Sequence, residues 1–157
     1  MTEKEIAEIV GTVLSSLPHG DVSLQQANAL ISAVFDKARE MGVKAVAAVA
    51  DSHTNPVSVQ CMADSFVASY DIALNKAYTV TALKMPTSDL ATLAAPGGSL
   101  YGIQFTNNGR IVIFGGGVPL YDAAGNIVGG LGVSGGTEAQ DTALAQFGAK
   151  WFADSIK

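Results

Sequence analysis

Apolar residues recur at helical spacing in two stretches near the N-terminus. Thr2-x-x-Glu5 is a capping box, and Ile6, Ile9, Val10, Val13 and Leu14 follow on one stripe, which predicts a helix ending before Pro18. Ser23-x-x-Gln26 is a second box; Leu24, Ala27, Leu30, Ile31, Val34, Phe35 and Ala38 follow it, and Gly42 stands in the position of a stop. Residues 43–50 are then apolar apart from Lys44. Residues 51–56 supply turn chemistry and 57–61 alternate with period two, so this region predicts a β-hairpin.

From residue 65 to about 83 the helical period returns, with Phe66, Tyr70, Ala73, Leu74, Ala77 and Val80 on one face. The opposite face, with Val67, Ala68, Ile72 and Ala82, is barely more polar, which predicts burial in the same subunit or a neighbour. Pro86 halts this helix, and a short helix over 87–95 precedes the Pro96-Gly97-Gly98 loop. Strands are predicted at 103–106, 110–114, 118–121 and 127–134. They are joined by Asn107-Asn108-Gly109, Gly115-Gly116-Gly117 and Ala124-Gly125-Asn126. A terminal helix covers 137–155. With no linker or repeat, residues 1–157 read as a single α+β domain whose hairpin-rich antiparallel sheet is buried on at least one face.

The charge balance narrows the partners. A net charge of −5 with nine scattered Lys and Arg argues against nucleic acid, because phosphate neutralisation needs clustered cations. Charged residues make up only 15% of the chain and hydrophobic ones 48%, which predicts apolar surface and self-association into a homo-oligomer. Cys61 is the single cysteine, so no internal disulfide can form. The N-terminus lacks the basic flank of a secretory signal and no apolar run has membrane-spanning length, so a cytoplasmic location is expected.

Two patterns that suggest catalysis overlap near the C-terminus. Gly130-x-Gly132-x-x-Gly135 fits a dinucleotide fingerprint, but that fingerprint needs a later strand with an acid, and Asp154 lies on the terminal helix. Gly132-x-Ser134-x-Gly136 fits a nucleophile elbow, but both histidines, His19 and His53, precede it. The glycines therefore read first as a sharp strand end and a close helix contact. A second reading makes Gly115, Gly116 and Gly117 the floor of a pocket, with amides of Gly135, Gly136 and Thr137 at a helix start favouring a carboxylate.

Five blocks occur in a fixed order: Asp71-Ile72-Ala73-x-x-Lys76-Ala77-Tyr78-Thr79, Lys84-x-Pro86-Thr87, Pro96-Gly97-Gly98, Gly115-Gly116-Gly117-Val118-Pro119-Leu120, and Gly132-Val133-Ser134-Gly135-Gly136-Thr137-x-x-Gln140-Asp141. Together they resemble the GlcG/HbpS-like haem-binding family, a module also similar to the C-terminal domain of the propanediol-utilisation (PduO-type) corrinoid adenosyltransferase. The resemblance spans roughly residues 22–152. It implies a profilin-like fold with a five-stranded antiparallel sheet and helices on both faces, and a homo-oligomer. It also implies binding of haem, or of a related corrinoid, with no enzymatic reaction common to the family. An enzyme or accessory protein acting on a small carboxylate or a diol-derived metabolite is the alternative reading. The chain departs from the family at Asn55-Pro56, where a glycine turn is common, and at Cys61-Met62-Ala63-Asp64, where Arg-Met-Asp-Gly is common.

Under that resemblance His19 is the first candidate iron ligand, as a basic imidazole in the Pro18-His19-Gly20 loop, and His53 in the hairpin turn is the second. The commoner reading of each is a solvated loop histidine. Lys76 and Lys84 are candidates for pairing with propionates, with a solvated Lys76 facing Asp71 as the alternative. Tyr78, with Tyr70 and Tyr101, is able to hydrogen-bond an oxygenated ligand or to ligate iron. Cys61, Met62 and Met85 read mainly as core fillers rather than soft ligands.

Overall fold

The computed structural model describes residues 1–16 and 20–157, with the side chains from 14 to 16 outside that description. The predicted capping boxes set the helix starts. At α1 (Glu3–Ser16) the Thr2 N–H donates to Glu5 Oε2 at 2.6 Å. At α2 (Leu24–Glu40) the Gln26 N–H donates to Ser23 Oγ at 3.1 Å and the Ser23 N–H to Gln26 Oε1 at 2.9 Å. At the far end of α2, Gly42 takes φ 67, the left-handed turn that lets the chain leave the helix.

β1 (Val46–Asp51) and β2 (Pro56–Cys61) form the expected hairpin. β3 (Gly117–Tyr121) and β4 (Ile127–Ser134) form a second, and β4 pairs with β1, so the antiparallel order is β2-β1-β4-β3. Alternation along the strands splits the core into two layers. Ala47, Val49, Leu131 and Val133 face Leu30, Ile31 and Val34 of α2 and Leu144 and Phe152 of α5 (Glu138–Ser155). Val46, Ala48 and Ala50 face Ala73 and Ala77 of α3 (Val67–Leu83) on the other side. The chain is thus α+β with helices on both faces of an antiparallel sheet. The short helix α4 (Thr87–Ala94) follows α3 as expected.

The sheet has four strands among the described residues, not five. Neither 103–106 nor 110–114 joins it: Ile103–Phe105 and Asn107–Gly109 are single 3₁₀ turns. Asn107, Asn108 and Gly109 all take positive φ, so the turn residues are real, but the flanks find partners other than each other. Thr79 Oγ1 on α3 donates to the Asn75 carbonyl at 2.7 Å, accepts the Val112 N–H at 3.0 Å and lies 3.3 Å from the Arg110 carbonyl oxygen. The apolar segment that mimics a strand thereby lies along α3 with Ile111 buried. No described helix is long and apolar enough to cross a membrane.

The close approach of α3 to β4 depends on missing side chains. A Cβ on Gly132 would collide with the Ala73 carbonyl and one on Gly130 with the Ala77 carbonyl, so helix backbone rests directly on the strand. Gly132→Ala is therefore expected to cost at least ~2 kcal/mol through overpacking. Gly11→Ala, where a Cβ meets nothing within 4 Å on an exposed helix, should instead stabilise by about 0.5–1 kcal/mol. Urea denaturation of the two variants checks both signs.

Candidate functional site

The structure divides the candidate residues between the two ends of β1. Val46 pairs with Ser134 and Asp51 pairs with Gly129, so the start of α5 and the hairpin turn lie roughly 17 Å apart along the strand. One end carries Lys76, the glycine run and Thr137; the other carries His53 and Lys84.

At the first end Lys76 is fully buried, which excludes the solvated, Asp71-facing lysine. Its Nζ donates to the Val133 carbonyl at 2.8 Å and to Asp141 Oδ2 at 3.2 Å, and lies 5.1 Å from the centre of the Phe114 ring. Burial pushes the Lys76 pKa below its ordinary 10.5, against the opposing pull of Asp141 and Glu138. Asp141 reaches this position because Thr137 caps α5, with the Gln140 N–H donating to Thr137 Oγ1 at 3.2 Å. Nothing in the spacing ties Asp141 to a lysine 65 residues away. The only signal was its place at the end of the last sequence block.

The glycine run closes over this pair. Gly116 has φ 111, and a Cβ there would sit 2.5 Å from Lys76 Nζ and 2.7 Å from the Val133 carbonyl oxygen, so only bare backbone fits. Of the amides expected to receive a carboxylate ligand, those of Gly136 and Thr137 are engaged within the chain, as are two from the glycine run. Gly115 N–H donates to Glu138 Oε1 at 2.8 Å, Gly136 N–H to Asp141 Oδ1 at 2.8 Å, Thr137 N–H to Gln140 Oε1 at 2.9 Å, and Gly117 N–H to Thr87 Oγ1 at 2.8 Å. Gly135, at φ 151, packs against the Lys44 backbone. Beside these groups lies a cleft of about 260 Å³ with Ser69, Ser134, Glu138 and Asp141 on its walls and Phe66 and Phe114 at its rim. Ser134 Oγ donates to Ser69 Oγ at 3.0 Å, so the serine of the elbow-like pattern is buried and faces another serine.

At the other end His53 projects from the β1–β2 turn, largely exposed. Its Nδ1 lies 3.2 Å from Ser52 Oγ and 3.5 Å from Asp21 Oδ2. A carboxylate beside Nδ1 favours the proton there and leaves Nε2 as the nitrogen able to take a metal. Asp51, although close to both, accepts the N–H groups of His53 and Asn55 at 2.9 Å each and so holds the turn. A hollow of about 390 Å³ adjoins this end, lined by Ser52, Thr81, Lys84, Asn126 and Ile127. Lys84 is exposed and takes φ 56 at the C-cap of α3, a left-handed position that glycine usually occupies. His19 lies outside the described residues. In sequence it precedes Asp21 by two positions.

Tyr78 belongs to neither end: its hydroxyl accepts from Asn107 Nδ2 at 3.0 Å and Arg110 covers its ring at 3.8 Å. Cys61 is exposed rather than a core filler, because it closes the edge strand β2. Met62 is half-buried, with its sulfur accepting the Ala45 N–H at 3.3 Å.

The buried pair yields a stability test. Lys76→Met leaves Asp141 buried without its cation and should cost about 3–5 kcal/mol, while Lys76→Met/Asp141→Asn should recover a good part of that loss. Because the folded chain holds the Lys76 proton less tightly than the unfolded chain, the unfolded state binds more protons as pH approaches 10.5. The parent should therefore gain stability relative to the double variant as pH rises through that window, read by denaturation at a series of pH values.

Comparison with known proteins places this geometry in a family. The model of the family described as "Haem degrading protein HbpS-like" matches residues 22–150. An uncharacterised 15.0 kDa protein from the dhaT-dhaS intergenic region of Citrobacter freundii is 44% identical over 133 residues, covering 85% of this chain and 93% of that one. The crystal structure of Klebsiella pneumoniae ORFY superposes with a TM-score of 0.83 at 42% identity, over 87% of this chain and 94% of the other. The crystal structure of a PduOC:heme complex superposes with a TM-score of 0.79 at 33% identity, over 83% of this chain and 94% of that one. On the match across residues 22–150 and on these identities, the chain belongs to the HbpS-like family.

Proposed function

We propose that the protein is a non-enzymatic binding module for haem or a related tetrapyrrole, working as a homo-oligomer, with its ligand at the His53 end. The observation that carries this reading is the 33% identical domain solved as a complex with heme, over nearly all of that domain. The chemistry of the two ends supports the placement. At the glycine end the cation and two of the amides a propionate would use are already engaged: Lys76 on Asp141, and the Gly136 and Thr137 amides on side chains of their own helix. The walls there add the carboxylate of Glu138, which repels an anionic ligand.

At the His53 end the donor set fits. His53 offers Nε2 to iron, and Lys84 offers an exposed ammonium to a propionate beside the 390 Å³ hollow. The left-handed backbone at Lys84 costs free energy that glycine would avoid, which favours a role for its side chain. That hollow is smaller than a tetrapyrrole, so much of the ring lies against a second surface. The exposed Phe66, Val67 and Tyr70 at the start of α3 supply the apolar area for an assembly that provides one.

Haem titration followed by the Soret band tests the placement. His53→Ala or His19→Ala should lower affinity at least tenfold, and Lys84→Ala should weaken it several-fold without moving the band. Retention of the parent's band and affinity by both histidine variants overturns histidine ligation. Cobalamin titrated in parallel separates a haem site from a corrinoid site. Light scattering is expected to report more than two subunits, and Val67→Glu should reduce that number; a concentration-independent monomer rejects the assembly.

A further inference from the structure

α1 carries an apolar stripe on one face. Its stripe of Ile6, Ile9 and Val10, continued by Val13, remains about half exposed, and among the described residues no other element packs broadly against it. The family match begins at Val22, so the body common to the family is defined without this helix. Its own capping box fixes its start, and its anchors fall at i, i+3, i+4 and i+7, the spacing by which an amphipathic helix fills a groove.

We infer that α1 is an appended docking helix that seats its Ile6–Val13 stripe in an apolar groove of a different protein, with basic residues where the first two turns enter. The charge on α1 selects that occupant. Glu3, Glu5 and Glu8 outnumber Lys4, and residues 9–20 carry no Lys, Arg, Asp or Glu. Helices that lie on membranes carry Lys and Arg on the polar face, and this acidic one is repelled by anionic lipid. Pairing of two α1 helices brings two acidic segments together, which like charge opposes and a basic rim on a different protein favours. One α1 binds a groove weakly, because a helix this short buries little area. In the assembly proposed above several copies act together, and avidity supplies what each helix lacks.

The test places a photo-crosslinking residue at position 10 of the full chain in its source cells, with a second at Gln146, exposed on the body, as control. A protein joined at position 10 and not at 146 is then purified and titrated with the full chain. Ile9→Gln/Val10→Gln is expected to lower its affinity at least tenfold with helix content and assembly unchanged. Glu3→Gln/Glu8→Gln should weaken binding and flatten its salt dependence. Crosslinking only to another copy, with assembly lost in Ile9→Gln/Val10→Gln, overturns the inference. So does flotation with phosphatidylglycerol or phosphatidylcholine vesicles, or crosslinking at position 10 no stronger than at 146.

Discussion

A buried ion pair ties the three layers together. Lys76 comes from the helix on one face of the sheet and Asp141 from the helix on the other. They meet at the end of β4, where the Val133 carbonyl accepts a second bond from the same ammonium. Two charges this deep are tolerated only when each is paired and further hydrogen-bonded. The surrounding backbone is arranged to meet that condition: Gly136 donates to the other oxygen of Asp141, and Gly116 leaves the space that Nζ occupies. Gly116 and the cap of α5 thus answer one electrostatic requirement, while Gly130, Gly132 and Gly135 serve the close approach of backbone to backbone.

Close approach also explains why the glycine-rich segment imitates two catalytic motifs. Phosphate loops and nucleophile elbows need backbone that can turn sharply and approach another group closely. The same demand arises when the other group is the backbone of a neighbouring helix or segment, as Gly132 meets α3 and Gly135 meets Lys44. What separates the cases is where the freed amides point. Here Asp141, Glu138 and Gln140 take them, so the loop is satisfied internally and offers a ligand little. No pattern of residue types carries that information, because it depends on side chains brought in by folding.

Legibility in the sequence followed the range of the interactions. The caps at Ser23 and Thr137 involve residues three apart and could be read directly, as could the alternation of β2. The two apolar segments around Asn107-Asn108-Gly109 could not be assigned, since an apolar segment flanking a turn looks the same whether its amides pair with a strand or with Thr79 on a helix. The resemblance supplied the order of elements and the family but one strand too many. Lys76 was visible only as a charge on an apolar helix. Its burial follows from Asp141, which sequence distance hides. Cys61 was misplaced because small and apolar describes an exposed edge position as well as a core one.

The separation of the two ends of β1 limits how function and assembly can share so small a fold. α3 spans the distance, with Phe66, Val67 and Tyr70 exposed at its start and Lys84 at its finish. Its inner face is fixed by Lys76, Ala73 and Ala77 against the sheet, so the helix cannot rotate to bury the aromatic end without breaking the ion pair. The apolar start of α3 therefore stays on the surface for a neighbour to cover, while the histidine turn lies a strand length away. In the reading proposed above, self-association engages the start of α3 while the assembled neighbour supplies the ligand's second surface, and the rigid pair between the two ends of one chain holds their separation fixed.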